Sequence, residues 1–325
     1  MTVSVFVTVD VEEDQWGKYD STYTSVVNVK RIPILQQLFD RYGCVPTYLV
    51  NYPVVMDEAA MEILQDLGME GRCEIASHCH PWNTPPFEEE INITSSMLCN
   101  LPYTLVYKKI KTLRQATIDR LNAVPVSFRA GRWGFGPVVA RAIDELGYKI
   151  DTSVTPFINW DKEYGPDFSN APASCYWFEH ENVLLENEAG RLLEVPPSIG
   201  FLQKEIKRAG RVRNWLLNSP FSKIGLLGIL DRLKILSFRW LSPELSDGPQ
   251  MVSLSKNLIG RGYSFLNMSF HSTSLLPGAS PFVQNERQFR RFMEDIKIFL
   301  SFALENGMEF LPLGKALEHE KGRST

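Results

Sequence analysis

The sequence predicts an α/β protein built on parallel strands, as a barrel or an open sheet, and three observations support this. Short β-branched runs alternate with helical stretches along most of the chain. The first run, residues 3–11, is nearly all apolar, as a strand covered on both faces should be. The residues equipped for chemistry, Asp10, Glu12, His78, His80, Arg129 and Asp151, all fall at or just past the C-terminal ends of expected strands. Sites in barrels and open α/β sheets lie there.

The elements follow in order. After strand 3–11 and a polar loop, residues 32–42 have helical apolar spacing, with Gly43 as the stop. Residues 46–50 read as a second strand, and Asp57 caps a helix ending at Gly68. Residues 73–76 form a short third strand leading into His78, and a longer helix over 104–121 precedes strand 126–129. A helix over 137–146, stopped by Gly147, leads to strand 148–151. Residues 175–178 and 191–195 suit a hairpin. The strand–helix pattern resumes with strand 263–271, helix 284–305 and strand 309–312.

Composition narrows the class. The 325 residues can bury one large core, and 44% hydrophobic with 22% charged residues is ordinary for a soluble globular protein. A net charge of −4 gives no case for a nucleic-acid partner. Five irregularly spaced cysteines without a CxxC pair argue against a disulfide framework. No apolar run reaches the roughly 18 residues of a membrane span, and the N-terminus lacks a basic region or cleavage site. The expected location is the cytoplasm, with peripheral contact at the inner membrane face as a variant.

Side chains two apart on a strand share a face. Asp10 and Glu12 therefore project together, as do His78 and His80. Two imidazoles and two carboxylates converging at strand ends suit one divalent metal with a spare carboxylate beside it. Taken singly, each residue has a structural explanation. Asp10 can cap a loop, Arg129 can serve a structural ion pair, and His271 can be a satisfied core histidine. Glu13 and Asp14 read as a solvated acidic loop, Cys79 as a buried thiol facing away from the histidines, and His180 and His319 as surface residues. Their coincidence at strand ends favours one site.

In motif order the chain resembles the NodB-like polysaccharide deacetylases over nearly its whole length. Thr8-Val-Asp10-Val-Glu12 resembles the family's first motif, which pairs a carboxylate base with a metal-binding carboxylate. Glu74-Ile-Ala-Ser-His78-Cys-His80-Pro81 resembles the His-pair motif, with the gap between histidines shortened from three residues to one. Ser127-Phe-Arg129-Ala-Gly-Arg132-Trp133-Gly134 is similar to the third motif. Ile150-Asp-Thr-Ser153 resembles the fourth and Ser269-Phe-His271-Ser272 the fifth. The resemblance implies a distorted or incomplete (β/α) barrel. It implies metal ligands Glu12, His78 and His80, base Asp10, Arg129 pairing with that base, acid His271 and Asp151 steering His271. Trp82, Arg132 and Trp133 would line the sugar site. The metal implied is Zn²⁺, with Co²⁺, Ni²⁺ or Mn²⁺ as alternatives.

Residues 202–250 differ in character and read as an inserted basic helical segment within a single 1–325 domain. Between residues 204 and 240 lie nine Lys/Arg against two acids, with Trp215, Trp240 and the apolar stretch 221–230 among them. The sequence favours a helical lid on the barrel mouth, with an interfacial helix on anionic lipid as the alternative.

The expected function is metal-dependent removal of an N-acyl group, acetyl or formyl, from an amino-sugar intermediate of surface-polysaccharide biosynthesis. Its carrier would be nucleotide or polyprenyl phosphate. Hydrolysis of a small amide, ureide or cyclic imide is the second reading, although the basic segment serves no small neutral substrate. An unrelated His-x-His amidohydrolase would carry that pair on its first strand. A non-catalytic carbohydrate-binding relative is the reading outside enzymology.

Overall fold

The computed structural model describes residues 2–203, 206–217 and 226–321. Lys204, Glu205 and Lys223 lie outside the described residues, as do the side chains of Lys207, Arg208 and His319. The elements are β1 (Ser4–Val11), α1 (Ile32–Arg41), β2 (Thr47–Val50), α2 (Tyr52–Met56), α3 (Glu58–Met69), β3 (Glu74–Cys79), α4 (Tyr103–Leu121), β4 (Ser127–Ala130), α5 (Pro137–Glu145), β5 (Ile150–Asp151), β6 (Tyr176–Phe178) and β7 (Leu192–Glu194). There follow β8 (Ile199–Phe201), α6 (Ile206–Leu217), α7 (Leu226–Arg232), β9 (Phe238–Trp240), α8 (Gly248–Ile259), β10 (Phe265–His271), α9 (Glu286–Glu305), β11 (Glu309–Phe310) and α10 (Ala316–Lys321).

Nine strands form one sheet in the order β10-β1-β2-β3-β4-β5-β7-β6, with β11 paired to the start of β1. Every pairing in it is parallel except β6 with β7, the expected hairpin. The sheet curls without closing, so the barrel is incomplete. Its gap is bridged by the separate antiparallel pair β8–β9. Ser198 donates its N–H to the Asn267 carbonyl at 2.9 Å, and Ser269 donates to that of Leu241 at 3.1 Å. These bonds attach the pair to β10.

Local chemistry sets the elements. Asp57 caps α3 by accepting the Ala60 N–H at 2.9 Å. Gly43 adopts φ 62° directly after α1, a conformation that costs other residues. Helix α8 was not anticipated, although Asp247 and Gln250 form a capping box at its start. Along β1 the valines at 5, 7, 9 and 11 pack into the helix-facing core. Thr8 and Asp10 take the opposite, inner face. Cys79 likewise joins the helix-facing core, away from the histidines on either side of it.

Candidate active site

Strand register assembles the site. Asp10 stands opposite His271 across β1 and β10. His78 stands opposite Arg129 across β3 and β4. Parallel partners share a face, so all four side chains enter the same mouth of the barrel, joined by Glu12 and His80 just past their strands. Glu12 Oε2 lies 3.5 Å from His78 Nε2 and 3.4 Å from His80 Nε2. Donor atoms of the three residues all fall within 4.8 Å of one another. All three residues are buried.

This donor set suits zinc. With ligands at about 2.0–2.2 Å, a tetrahedral edge is about 3.3–3.6 Å, and two imidazoles with one carboxylate leave a fourth position open. The outer nitrogens are already committed. His78 Nδ1 lies 3.2 Å from the Arg129 carbonyl, and His80 Nδ1 lies 3.5 Å from Glu13 Oε1. Such partners fix the tautomer that turns the Nε2 lone pair inward. Glu13 is held in turn by Trp82 Nε1 at 3.0 Å, Asn83 Nδ2 at 2.9 Å and Asn51 Nδ2. Burial raises its pKa, but the neighbouring His80 and these hydrogen bonds outweigh that and hold it at about 2.

Electrostatics points the same way. Burial pushes His78 below the usual imidazole value, which keeps it neutral as a ligand must be. Burial, reinforced by the carboxylates of Glu13 and Asp10, pushes Glu12 up to about 7 against the pull of His271 and His80. A neutral His78 beside a carboxylate short of positive charge makes a pocket that a divalent cation completes.

Asp10 is in a different state. Burial acts to raise its pKa, but the charge and hydrogen bond of Arg129, with the charge of His271, hold it below the ordinary carboxylate range. Arg129 Nη1 donates to Asp10 Oδ1 at 2.6 Å. The remaining Arg129 contacts are Nη2 to Thr8 Oγ1 at 2.9 Å, Nη2 to Thr152 Oγ1 at 3.1 Å and Nε to the Thr152 carbonyl at 3.0 Å. The fully buried guanidinium is thus paired and hydrogen-bonded throughout, the condition under which a buried charge is tolerated. The other carboxylate oxygen, Oδ2, lies 3.7 Å from His271 Nε2.

His271 is held by Glu244. Its Nδ1 lies 2.9 Å from Glu244 Oε2 and its backbone N–H donates to Oε1 at 3.1 Å, while Ser274 Oγ donates to the same oxygen. Burial works to lower the His271 pKa, but Glu244, Glu12 and Asp10 together push it up to about 10. The imidazolium is therefore the resident form at neutral pH. Trp16 packs edge-on against the ring, centroids 4.6 Å apart.

Several expectations need correcting. Asp151 does not hold His271. It faces Phe128 and Glu194 across the sheet, on the side opposite Arg129 and Thr152. Its oxygens accept from the Ser153 N–H at 2.9 Å and the Ser153 hydroxyl at 2.8 Å. Burial pushes it up to about 6 and raises its neighbour Glu194 well above the usual carboxylate range. Thr152, one residue on, is the inward-facing residue. Glu13 is no solvated acid, and Asp14 is a loop anchor that accepts from Ser25, Val27 and Asn28. Trp82 is only 5% exposed; it stacks on His80 with ring centroids 4.1 Å apart and also lines the cleft.

The mouth opens into a cleft of about 390 Å³. Five of the seven tryptophans line it: Trp16, Trp82, Trp133, Trp160 and Trp240. Trp133 lies over the Arg129 guanidinium at 5.2 Å. Arg132 also lines the cleft, with its charge engaged: it donates to Ser96 and to the Ile93 carbonyl, and lies 3.6 Å from Glu163 and 4.9 Å from the Tyr19 ring centroid.

Gly131 leaves room for a ligand. A Cβ there would stand 2.2 Å from His80 Cδ2 and 2.9 Å from the Cys79 carbonyl oxygen. Gly131→Ala is expected to displace His80 and weaken zinc affinity about 10- to 100-fold, as disturbed ligand support does elsewhere. Isothermal titration with Zn²⁺ measures this, and unchanged affinity would mean that His80 is not a ligand.

No protein-family model and no curated protein matches the sequence. Solved structures do match. A putative polysaccharide deacetylase from Mycobacterium smegmatis aligns with a TM-score of 0.54 at 14% identity, covering 99% of this chain and 91% of that one. A putative glycoside hydrolase/deacetylase from Parabacteroides distasonis gives 0.57 at 10% identity, over 98% and 71%. A GH57 branching enzyme from Thermococcus kodakaraensis gives 0.53 at 9% identity, also over 98% and 71%. Strand order, the open curled sheet and these likenesses give this chain the fold of the NodB-like polysaccharide deacetylases.

Proposed function

We propose that the protein is a metal-dependent hydrolase that removes an N-acyl group, acetyl or formyl, from an amino-sugar intermediate of surface-polysaccharide biosynthesis. One observation carries the reading: a Glu-His-His donor set lies between an arginine-paired aspartate and a glutamate-paired histidine, at the floor of a tryptophan-lined cleft.

A divalent ion held by Glu12, His78 and His80 would supply Lewis-acid polarisation of the acyl carbonyl. The chain's own residues handle the protons. Asp10, kept ionised by Arg129, accepts a proton from the attacking water through Oδ2. His271, resident as the imidazolium, donates a proton to the departing nitrogen, which is too basic to leave as an anion. Glu244 fixes the ring and its charge. The products are a free amine and a small carboxylic acid. The tryptophan faces suit the C–H faces of a sugar ring, and a cleft of about 390 Å³ is large for a cyclic imide.

Glycosidic cleavage, the other chemistry named among proteins of this fold, needs a carboxylic acid and a carboxylate free to act as a pair. Here Asp10 is bound to Arg129, Glu12 sits between two imidazoles, Glu13 accepts three donors and Glu244 holds His271. That arrangement favours acyl transfer to water. The proposed setting is the cytoplasm or the inner membrane face. Among the described residues no helix is long and apolar enough to cross a membrane.

Mass spectrometry tests the reading. Zinc-loaded enzyme incubated with N-acetyl and N-formyl sugars on nucleotide and polyprenyl-phosphate carriers should release a free amine from one class. Turnover of small imides with none of the sugars would overturn it.

Glu244→Gln is expected to move the alkaline limb of the kcat profile. Glu244 raises the His271 pKa, so removing its charge lets the acid deprotonate at lower pH, by about one unit or more. Activity should then fall off earlier as pH rises, with the acid limb little changed. An unmoved alkaline limb would separate Glu244 from His271 chemistry.

A further inference from the structure

We infer that the exposed faces of α6 and α7 and of the turn leading to β9, within residues 211–217 and 229–235, are a docking surface for an anionic phospholipid membrane. This inference is independent of the hydrolase reading.

The apolar residues of this segment fall into two sets. One set packs inward as a small core of its own: Ala209, Leu216 and Leu236 are buried against Phe201, joined by Leu226, Leu230 and Phe238. The other set points out. Trp215 is 62% exposed, Leu233 63%, Ile235 58%, Ile229 51% and Val212 41%. These are five of the seventeen large apolar side chains exposed among the described residues, gathered within one short stretch of chain. Of these, Val212, Ile229, Leu233 and Ile235 are aliphatic side chains standing in water, which is costly for a monomer unless another surface takes them up.

Charge identifies that surface. Arg211, Arg232 and Lys234 are exposed among these apolar residues, and the run Arg232-Leu233-Lys234-Ile235 alternates cation and aliphatic with all four side chains exposed. Residues 204–240 carry net +7, whereas the remainder of the chain carries −11. So steep an asymmetry orients the molecule towards a negative plane and turns its acidic body away. Aliphatic and tryptophan side chains interleaved with Lys and Arg are the composition that settles at the headgroup–acyl boundary. A soluble polyanion would use the cations but leave Leu233 and Ile235 exposed. The segment also runs directly into the cleft, since Trp240 at the end of β9 lines it. A protein docked this way holds the mouth of its cleft beside the headgroups.

Flotation of the full-length protein with vesicles tests this. Binding is expected to vesicles of phosphatidylcholine with about one third phosphatidylglycerol, not to phosphatidylcholine alone, and to be released by raised salt. The double substitutions Leu233→Ser with Ile235→Ser, and Arg232→Glu with Lys234→Glu, should each weaken binding at least about ten-fold. Both change only exposed residues, and thermal melts check that the variants stay folded. Absence of binding to the anionic vesicles, or binding that survives both double substitutions, would overturn the inference. So would a wild-type dimer in solution that Leu233→Ser with Ile235→Ser converts to a monomer, because the face would then belong to a second copy of the chain.

Discussion

Asp10→Asn is expected to leave zinc content unchanged and lower kcat about 100- to 10,000-fold, the range of a lost proton-transfer group. Asparagine keeps the shape of the side chain and can still accept from Arg129 Nη1, so the geometry around the donor set should survive. It cannot take a proton from water. KM should move little, because Asp10 is asked to act on the reacting water and not on the sugar. Some stability will be lost: a guanidinium with no exposed surface gives up its charged hydrogen-bond partner, and breaking such pairs costs on the order of 3 kcal/mol. Kinetics are therefore compared well below the melting temperature of the variant. Wild-type turnover in Asp10→Asn would remove Asp10 from the base role and shift attention to Glu12.

His78→Ala is expected to lose both metal and activity. The ring supplies one of three donors, and its Nδ1 bond to the Arg129 carbonyl ties β3 to β4 at the site. Two remaining ligands make a weak zinc site, so affinity should fall about 1,000-fold or more. The contrast between the two variants is the diagnostic feature. Asp10→Asn separates chemistry from metal binding, whereas His78→Ala does not.

Much of this was legible in the sequence for physical reasons that can be named. Strands buried on both faces must be continuous apolar runs, so β1 and β2 declare themselves. A period of two puts His78 with His80 and Asp10 with Glu12, whatever the register. What stayed hidden acts through tertiary contact. Glu244 lies in the loop between β9 and α8, 27 residues before the histidine it holds, and no local pattern distinguishes it from a solvated acid. Glu13 looked like part of an acidic loop because its partners, Asn51, Trp82 and Asn83, come from distant turns. Asp151 was misplaced by a single residue of strand phase. Just past β5 the inward position belongs to Thr152, and a shift of one turns a side chain to the other face.

The basic segment shows the same limit. Its composition suits both a packed lid and a surface helix, and does not say which of its apolar residues pack inward and which stay exposed. Hydrophobic spacing indicates that a helix has an apolar side, not how much of that side finds protein to cover it.

Anomalous diffraction at the zinc edge, from crystals grown with one equivalent of Zn²⁺, bears most directly on the site. A single strong peak is expected within about 2.0–2.2 Å of Glu12 Oε2, His78 Nε2 and His80 Nε2 together. A peak bound elsewhere, or no peak between those three side chains, would contradict the account.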